Sequence, residues 1–214
     1  SRLIGWLNEV RSRARTGVQA PQQILDLRSL VHEMRLFKDE NELATMRRAG
    51  QISRDAHVRA MSFTKPGQFE YQVEAELIHE FYRNGSRFPA YTSIVAGGAN
   101  ACVLHYVENN AELRDGDLLL IDAGCELHGY AADITRTFPV NGKFSAAQKD
   151  VYEIVLAAQL AAINAAKPGN TWNMPHDAAL KVLVQGMLDL KLLDGSVDGI
   201  IESESYKQFY MHRT

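Results

Sequence analysis

Apolar and polar positions recur at helical intervals in the first part of the chain, at strand-like intervals in the middle, and at helical intervals again afterwards. In residues 2–16, Leu3, Ile4, Leu7 and Val10 interleave with Arg2, Arg11, Arg13 and Arg15 at helical spacing, which predicts a helix with a solvated basic face. Gly17 and Pro21 interrupt that pattern and predict a linker through Gln23. Asp39 followed by Glu42 forms a capping-box pattern, and Leu43, Met46, Ala49, Ala56, Ala60 and Phe63 continue as one apolar face. Lys65-Pro66-Gly67 ends this helix, because proline donates no hydrogen bond to it. A second helix carries Val73, Leu77, Ile78, Phe81 and Tyr82 and stops at Asn84-Gly85. Three short apolar runs, Tyr91 to Val95, Cys102 to Tyr106 and Leu118 to Ile121, then read as strands.

Ser145 and Gln148 repeat the capping-box pattern, and Val151, Ile154, Val155, Ala158 and Ala165 line the helix that follows. That helix ends at Lys167-Pro168-Gly169, a further helix runs to about Leu193, and Gln208 to Met211 reads as a strand entering the core. Two Lys-Pro-Gly breaks, each between a pair of amphipathic helices, suggest a duplicated α+β unit whose second set of strands lies beyond Thr214. The fold class is therefore α+β. Residues 1–30 are expected to close a preceding domain and linker, and residues 31–214 to form the first part of the domain that follows.

Composition narrows the functional classes. A chain of 214 residues that is 46% hydrophobic can build a sizeable core. A net charge of −3 argues against a general nucleic-acid binder, and the basic face of the first helix reads as solvated surface and not as a binding patch. No uncharged apolar run approaches the length of a membrane span. Cys102 and Cys125 form no CxxC pair, which excludes a disulfide scaffold and accords with a reducing, cytoplasmic setting. Cys125 reads as a small packing residue. No serine sits in a GxSxG elbow, and Gly97-Gly98 lacks the context of a phosphate loop.

The chemistry concentrates in Leu118-Leu-Leu-Ile-Asp122-Ala-Gly124 and His128-Gly-Tyr-Ala-Ala-Asp133. An apolar run leads straight into one carboxylate, and a second follows eleven residues later. If Leu127 and His128 are the central residues of a hairpin turn, Asp122 falls directly opposite Asp133, with Cβ atoms about 5 Å apart. Two ionised carboxylates that close repel strongly unless one is protonated or a cation lies between them. Oxygen ligands favour the cation, and a bridging carboxylate suits two ions about 3.5–4 Å apart. A surface hairpin whose aspartates merely cap turns is the competing reading. His212, at the end of the last strand-like run, and His105, in Val103-Leu104-His105-Tyr106, are imidazoles that could join such a site or simply fill a core.

Several of these stretches resemble the catalytic domain of the bacterial Xaa-Pro aminopeptidases, a family of metallopeptidases. They are Phe37-Lys38-Asp39-Glu40-Asn41-Glu42 through Lys65-Pro66-Gly67; Leu104-His105-Tyr106; Leu120-Ile121-Asp122-Ala123-Gly124-Cys125; and Gly129-Tyr130-Ala131-Ala132-Asp133-Ile134-Thr135-Arg136-Thr137-Phe138-Pro139-Val140. The resemblance covers about residues 31–214. It implies a pita-bread fold, with two related α+β halves around a curved antiparallel sheet, and a dinuclear centre that usually holds Mn²⁺. By motif, Asp122 and Asp133 would be the first two metal ligands and His212 the third. His105 would be the catalytic histidine that contacts substrate and helps to move protons. Two glutamate ligands and a second histidine would follow Thr214. The implied reaction is hydrolysis of the bond between an N-terminal residue and proline by a hydroxide bridging the ions. The implied substrates are proline-containing peptides, and the family is often oligomeric. A prolidase, which cuts only Xaa-Pro dipeptides, and a non-catalytic binding protein of the same fold are the alternatives.

Overall fold

A computed structural model of the chain describes residues 1–210. The expectation that Met211 closes a strand and that His212 reaches the site therefore lies outside the described residues. Helices α1 (Arg2–Ser12) and α2 (Leu27–Leu36) come first, separated by a short 3₁₀ turn and an irregular stretch. Helix α2 was not foreseen, and the expected domain boundary at residues 30/31 falls inside it.

Helix α3 (Glu40–Phe63) starts at a complete capping box: Glu42 N–H donates to Asp39 Oδ1, and Asp39 N–H donates to Glu42 Oε2. Its buried side is made of small or slim residues, Ala49, Ile52, Ser53, Ala56, His57 and Ala60, so the backbone can approach the sheet closely. Met46, expected on that face, is largely exposed. Helix α4 (Glu70–Arg83) packs on α3 and contributes Val73, Leu77 and Phe81 to the core.

The sheet is antiparallel throughout. Strand β3 (Leu118–Leu127) lies at its centre; β1 (Phe88–Pro89) and β2 (Ile94–Gly97) share one edge of β3, and β4 (Tyr130–Pro139) takes the other. Leu119, Ile121, Ala123 and Cys125 point to the helices and are fully buried. Cys125 ties the two layers together, with its N–H donating to Ser53 Oγ and its thiol to the Ala49 carbonyl. Leu118, Leu120 and Asp122 alternate with them and face the other way.

One expected strand is absent, and another does not begin as expected within the described residues. Cys102 to Tyr106 is no strand: a 3₁₀ turn over Gly98–Cys102 runs into a loop in which His105 has φ 55°. Gln208 ends a 3₁₀ turn (Ser205–Gln208), so the described part of the last predicted strand is not extended either. In the first of these, Tyr106 is a single buried anchor within a turn, so its apolar neighbours give a strand-like composition without strand pairing.

Helix α5 (Ala146–Ala165) also starts at a capping box, made by Ser145 and Gln148, and pairs with α6 (Asn173–Asp189), which α7 (Val197–Glu202) covers. Its apolar residues divide. Ile154, Ala158 and Ala162 pack against α6, whereas Val151 and Val155 line an open cleft of about 720 Å³ beside Thr135 and Thr137 of β4.

Candidate metal centre

The β3–β4 turn differs from the expected one by one position. Its central residues are His128 and Gly129, with φ 51° and 86°, and the first flanking pair is Leu127 with Tyr130. A two-residue hairpin favours positive φ at both central positions, a strained conformation for leucine, and Leu127 is needed in the core. Asp122 therefore pairs with Thr135, and Asp133 with Gly124. The shift moves the pairing by two residues and so preserves the faces: both carboxylates still project from the same side of the sheet, as diagonal rather than direct neighbours. Gly124 makes this possible at close range, since a Cβ there would lie 2.5 Å from the Ala132 carbonyl oxygen.

A residue that sequence reasoning missed joins the two carboxylates. Tyr91, in the loop between β1 and β2, places its hydroxyl 2.6 Å from Asp122 Oδ1 and 2.8 Å from Asp133 Oδ1. A phenol has one proton, so it can donate to only one of them, and the other contact sets acceptor against acceptor. Partial burial, and then the two aspartates themselves, push the phenol pKa up, which keeps the hydroxyl a donor. The remaining repulsion is one that a cation between the two carboxylates would relieve.

The donors are hard oxygens on neighbouring strands, the type that suits Mg²⁺, Mn²⁺ or Ca²⁺ and not a thiolate-type zinc site. Asp122 and Asp133 thus fit such an ion, although among the described residues no third His, Cys, Asp or Glu completes a ligand cluster with them.

His105 is exposed, in a segment that folds back over the same side of the sheet. Its neighbour Tyr106 packs on Ile94, Ala96 and Leu120; Ile94 pairs with Asp122, and Leu120 lies two residues before it. The structure thus anchors the histidine-bearing loop on the aspartate face.

Residues 44–214 match the model of metallopeptidase family M24. The chain belongs to that family. Among its relatives, the Xaa-Pro aminopeptidase of Haemophilus influenzae is 54% identical over 89% of this chain and 44% of its own length. The Xaa-Pro aminopeptidase of Escherichia coli is 48% identical over 96% and 47%. The chain thus spans about half the length of the curated relatives it matches. Among solved structures, Pseudomonas aeruginosa aminopeptidase PepP superposes with a TM-score of 0.96 at 53% identity, over 99% of this chain and 48% of that one. A structure of Escherichia coli aminopeptidase P in complex with substrate superposes with a TM-score of 0.93 at 48% identity, over 97% and 47%. The fold is accordingly part of the pita-bread catalytic domain of the M24 family, in agreement with the α+β duplication read from the two Lys-Pro-Gly breaks. No helix among the described residues is long and apolar enough to cross a membrane.

Proposed function

We propose that the protein hydrolyses the bond between an N-terminal residue and a following proline, using two divalent ions, Mn²⁺ in preference, that Asp122 and Asp133 help to hold. One observation carries this reading: the hairpin presents both carboxylates on one face, where a single tyrosine hydroxyl reaches both. The relatives' names, and the substrate complex of one of them, support the peptide substrate.

When bound, such ions supply a water ionised near neutral pH and a Lewis acid for the scissile carbonyl. This chain's residues do the rest on their side of the site. Asp122 and Asp133 provide the negative charge, and Tyr91 aligns one carboxylate by donating to it. His105, exposed beside that face, is suited to contact the substrate and, as an imidazole, to pass a proton to or from it. The proline nitrogen, like any amide leaving group, must gain a proton as the C–N bond breaks, and such a donor supplies it. We further read the protein as cytoplasmic, in keeping with two unpaired thiols, and expect the oligomerisation common in the resembling family to show in light scattering.

The test uses the full-length protein and a length series of Xaa-Pro peptides. Cleavage of tripeptides and longer substrates, lost on chelation and restored best by Mn²⁺, is expected. Asp122→Ala and Asp133→Ala should each lower kcat/KM on the order of 10²-fold or more. Cleavage confined to dipeptides would make the protein a prolidase; absence of both turnover and metal binding would make it a binding protein.

A further inference from the structure

Glu70 is the first residue of α4, where a carboxylate ordinarily faces solvent and favours the helix dipole. Here it is fully buried. Its Oε1 accepts from Gly97 N–H at 2.7 Å and from Asn100 Nδ2 at 3.0 Å; its Oε2 accepts from the Tyr106 hydroxyl at 2.7 Å and from Ala111 N–H at 2.9 Å. Asn100 also donates to the Tyr106 hydroxyl, which closes the network. All four donors are neutral, and all belong to one stretch of chain: the end of β2, the 3₁₀ turn, the residue after His105, and the return of the loop.

Burying a carboxylate is costly, and the cost is met here only because every lone-pair direction in use is satisfied. An apolar residue could fill the same volume but could not hold a loop by its backbone. The loop needs holding. Val103, Leu104 and Val107 are largely exposed, and Tyr106 is its one deeply packed side chain between Gly98 and Glu108. Asn109 secures the far side, accepting from Val95 N–H and donating to Glu74 and to the Ser93 carbonyl. His105 sits between these anchors with positive φ, so its direction depends on where Tyr106 is fixed.

We propose that Glu70 is a positioning residue for His105: through Gly97, Asn100, Tyr106 and Ala111 it sets the conformation of the loop that presents the imidazole to substrate. This inference rests on the role given to His105 above. Glu70→Gln keeps the side chain's shape but turns an amide NH₂ towards two donors, one of them a backbone N–H in either orientation.

The experiment is a double-mutant cycle in the Mn²⁺-loaded full-length protein, with an Xaa-Pro tripeptide as substrate. Glu70→Gln should lower kcat/KM about tenfold or more in the wild-type background and less than about twofold in the His105→Ala background, with Mn²⁺ affinity unchanged. An equal loss in both backgrounds, or no loss in either, would overturn the proposal and leave the function reading intact. Unimpaired activity of His105→Ala alone would instead remove the role of His105, and this proposal with it. If Glu70→Gln does not fold, Tyr106→Phe takes its place in the same cycle; it removes one of the four bonds and keeps the ring packed, and the same criteria apply with a loss of about threefold or more.

Discussion

Gly124 illustrates how much of the site depends on single atoms. It is buried directly opposite Asp133, and the Ala132 carbonyl occupies the space a side chain would need. Gly124→Ala should destabilise the fold by about 1–3 kcal/mol, because the β3–β4 pair cannot separate without losing its ladder. Urea unfolding checks this, and a loss of metal affinity is expected to accompany it, since the displaced strand carries Asp133. Tyr91 and Glu70 act at the same scale, each a single side chain that joins segments far apart in the chain. Neither showed in the sequence: a tyrosine at the start of an apolar run and a glutamate near a helix start have commonplace local explanations. Their partners lie 31 and 42 residues away for Tyr91, and between 27 and 41 away for Glu70.

At the scale of elements, local signals were reliable where backbone hydrogen bonds close locally. Both capping boxes formed where Asp39 with Glu42 and Ser145 with Gln148 predicted them. Asp39→Ala should cost about 1 kcal/mol, measurable as a lower denaturation midpoint at unchanged m-value. The same box has a tertiary use, since Tyr130 beside the hairpin turn donates to Glu42 and pins the start of α3 to β4. Strands were less legible. Cys102 to Tyr106 has strand-like composition, but no strand among the described residues pairs with it, and buried side-chain acceptors take up the surrounding donors instead. The hairpin register was in fact readable: Gly129, not Leu127, suits the positive φ that a two-residue turn favours.

Across the whole molecule, one core between α3, α4 and the sheet supports the candidate centre, and it carries a buried titratable group. His57 lies on α3 under the sheet, with its Nδ1 donating to the Ser53 carbonyl. Burial, the largest influence, holds its pKa below the ordinary value near 6.5. Between that lowered value and about 6.5 the unfolded chain binds more protons than the folded one, so stability rises with pH there and is lost as pH falls. Urea titrations between about pH 5 and 8 should show this slope, and His57→Gln should reduce it.

The amino-acid sequence by itself determined where α3 and α5 begin and break, and that Asp122 and Asp133 share a face. All of these follow from capping, proline and the alternation of a strand, which operate over a few residues. Only the tertiary structure decided that the carboxylates are diagonal neighbours joined by Tyr91, and that the loop of His105 hangs from a buried glutamate. Those contacts form between segments that meet only when the sheet closes over its helices, where desolvation makes each unpaired polar atom costly and so selects partners that no local pattern names.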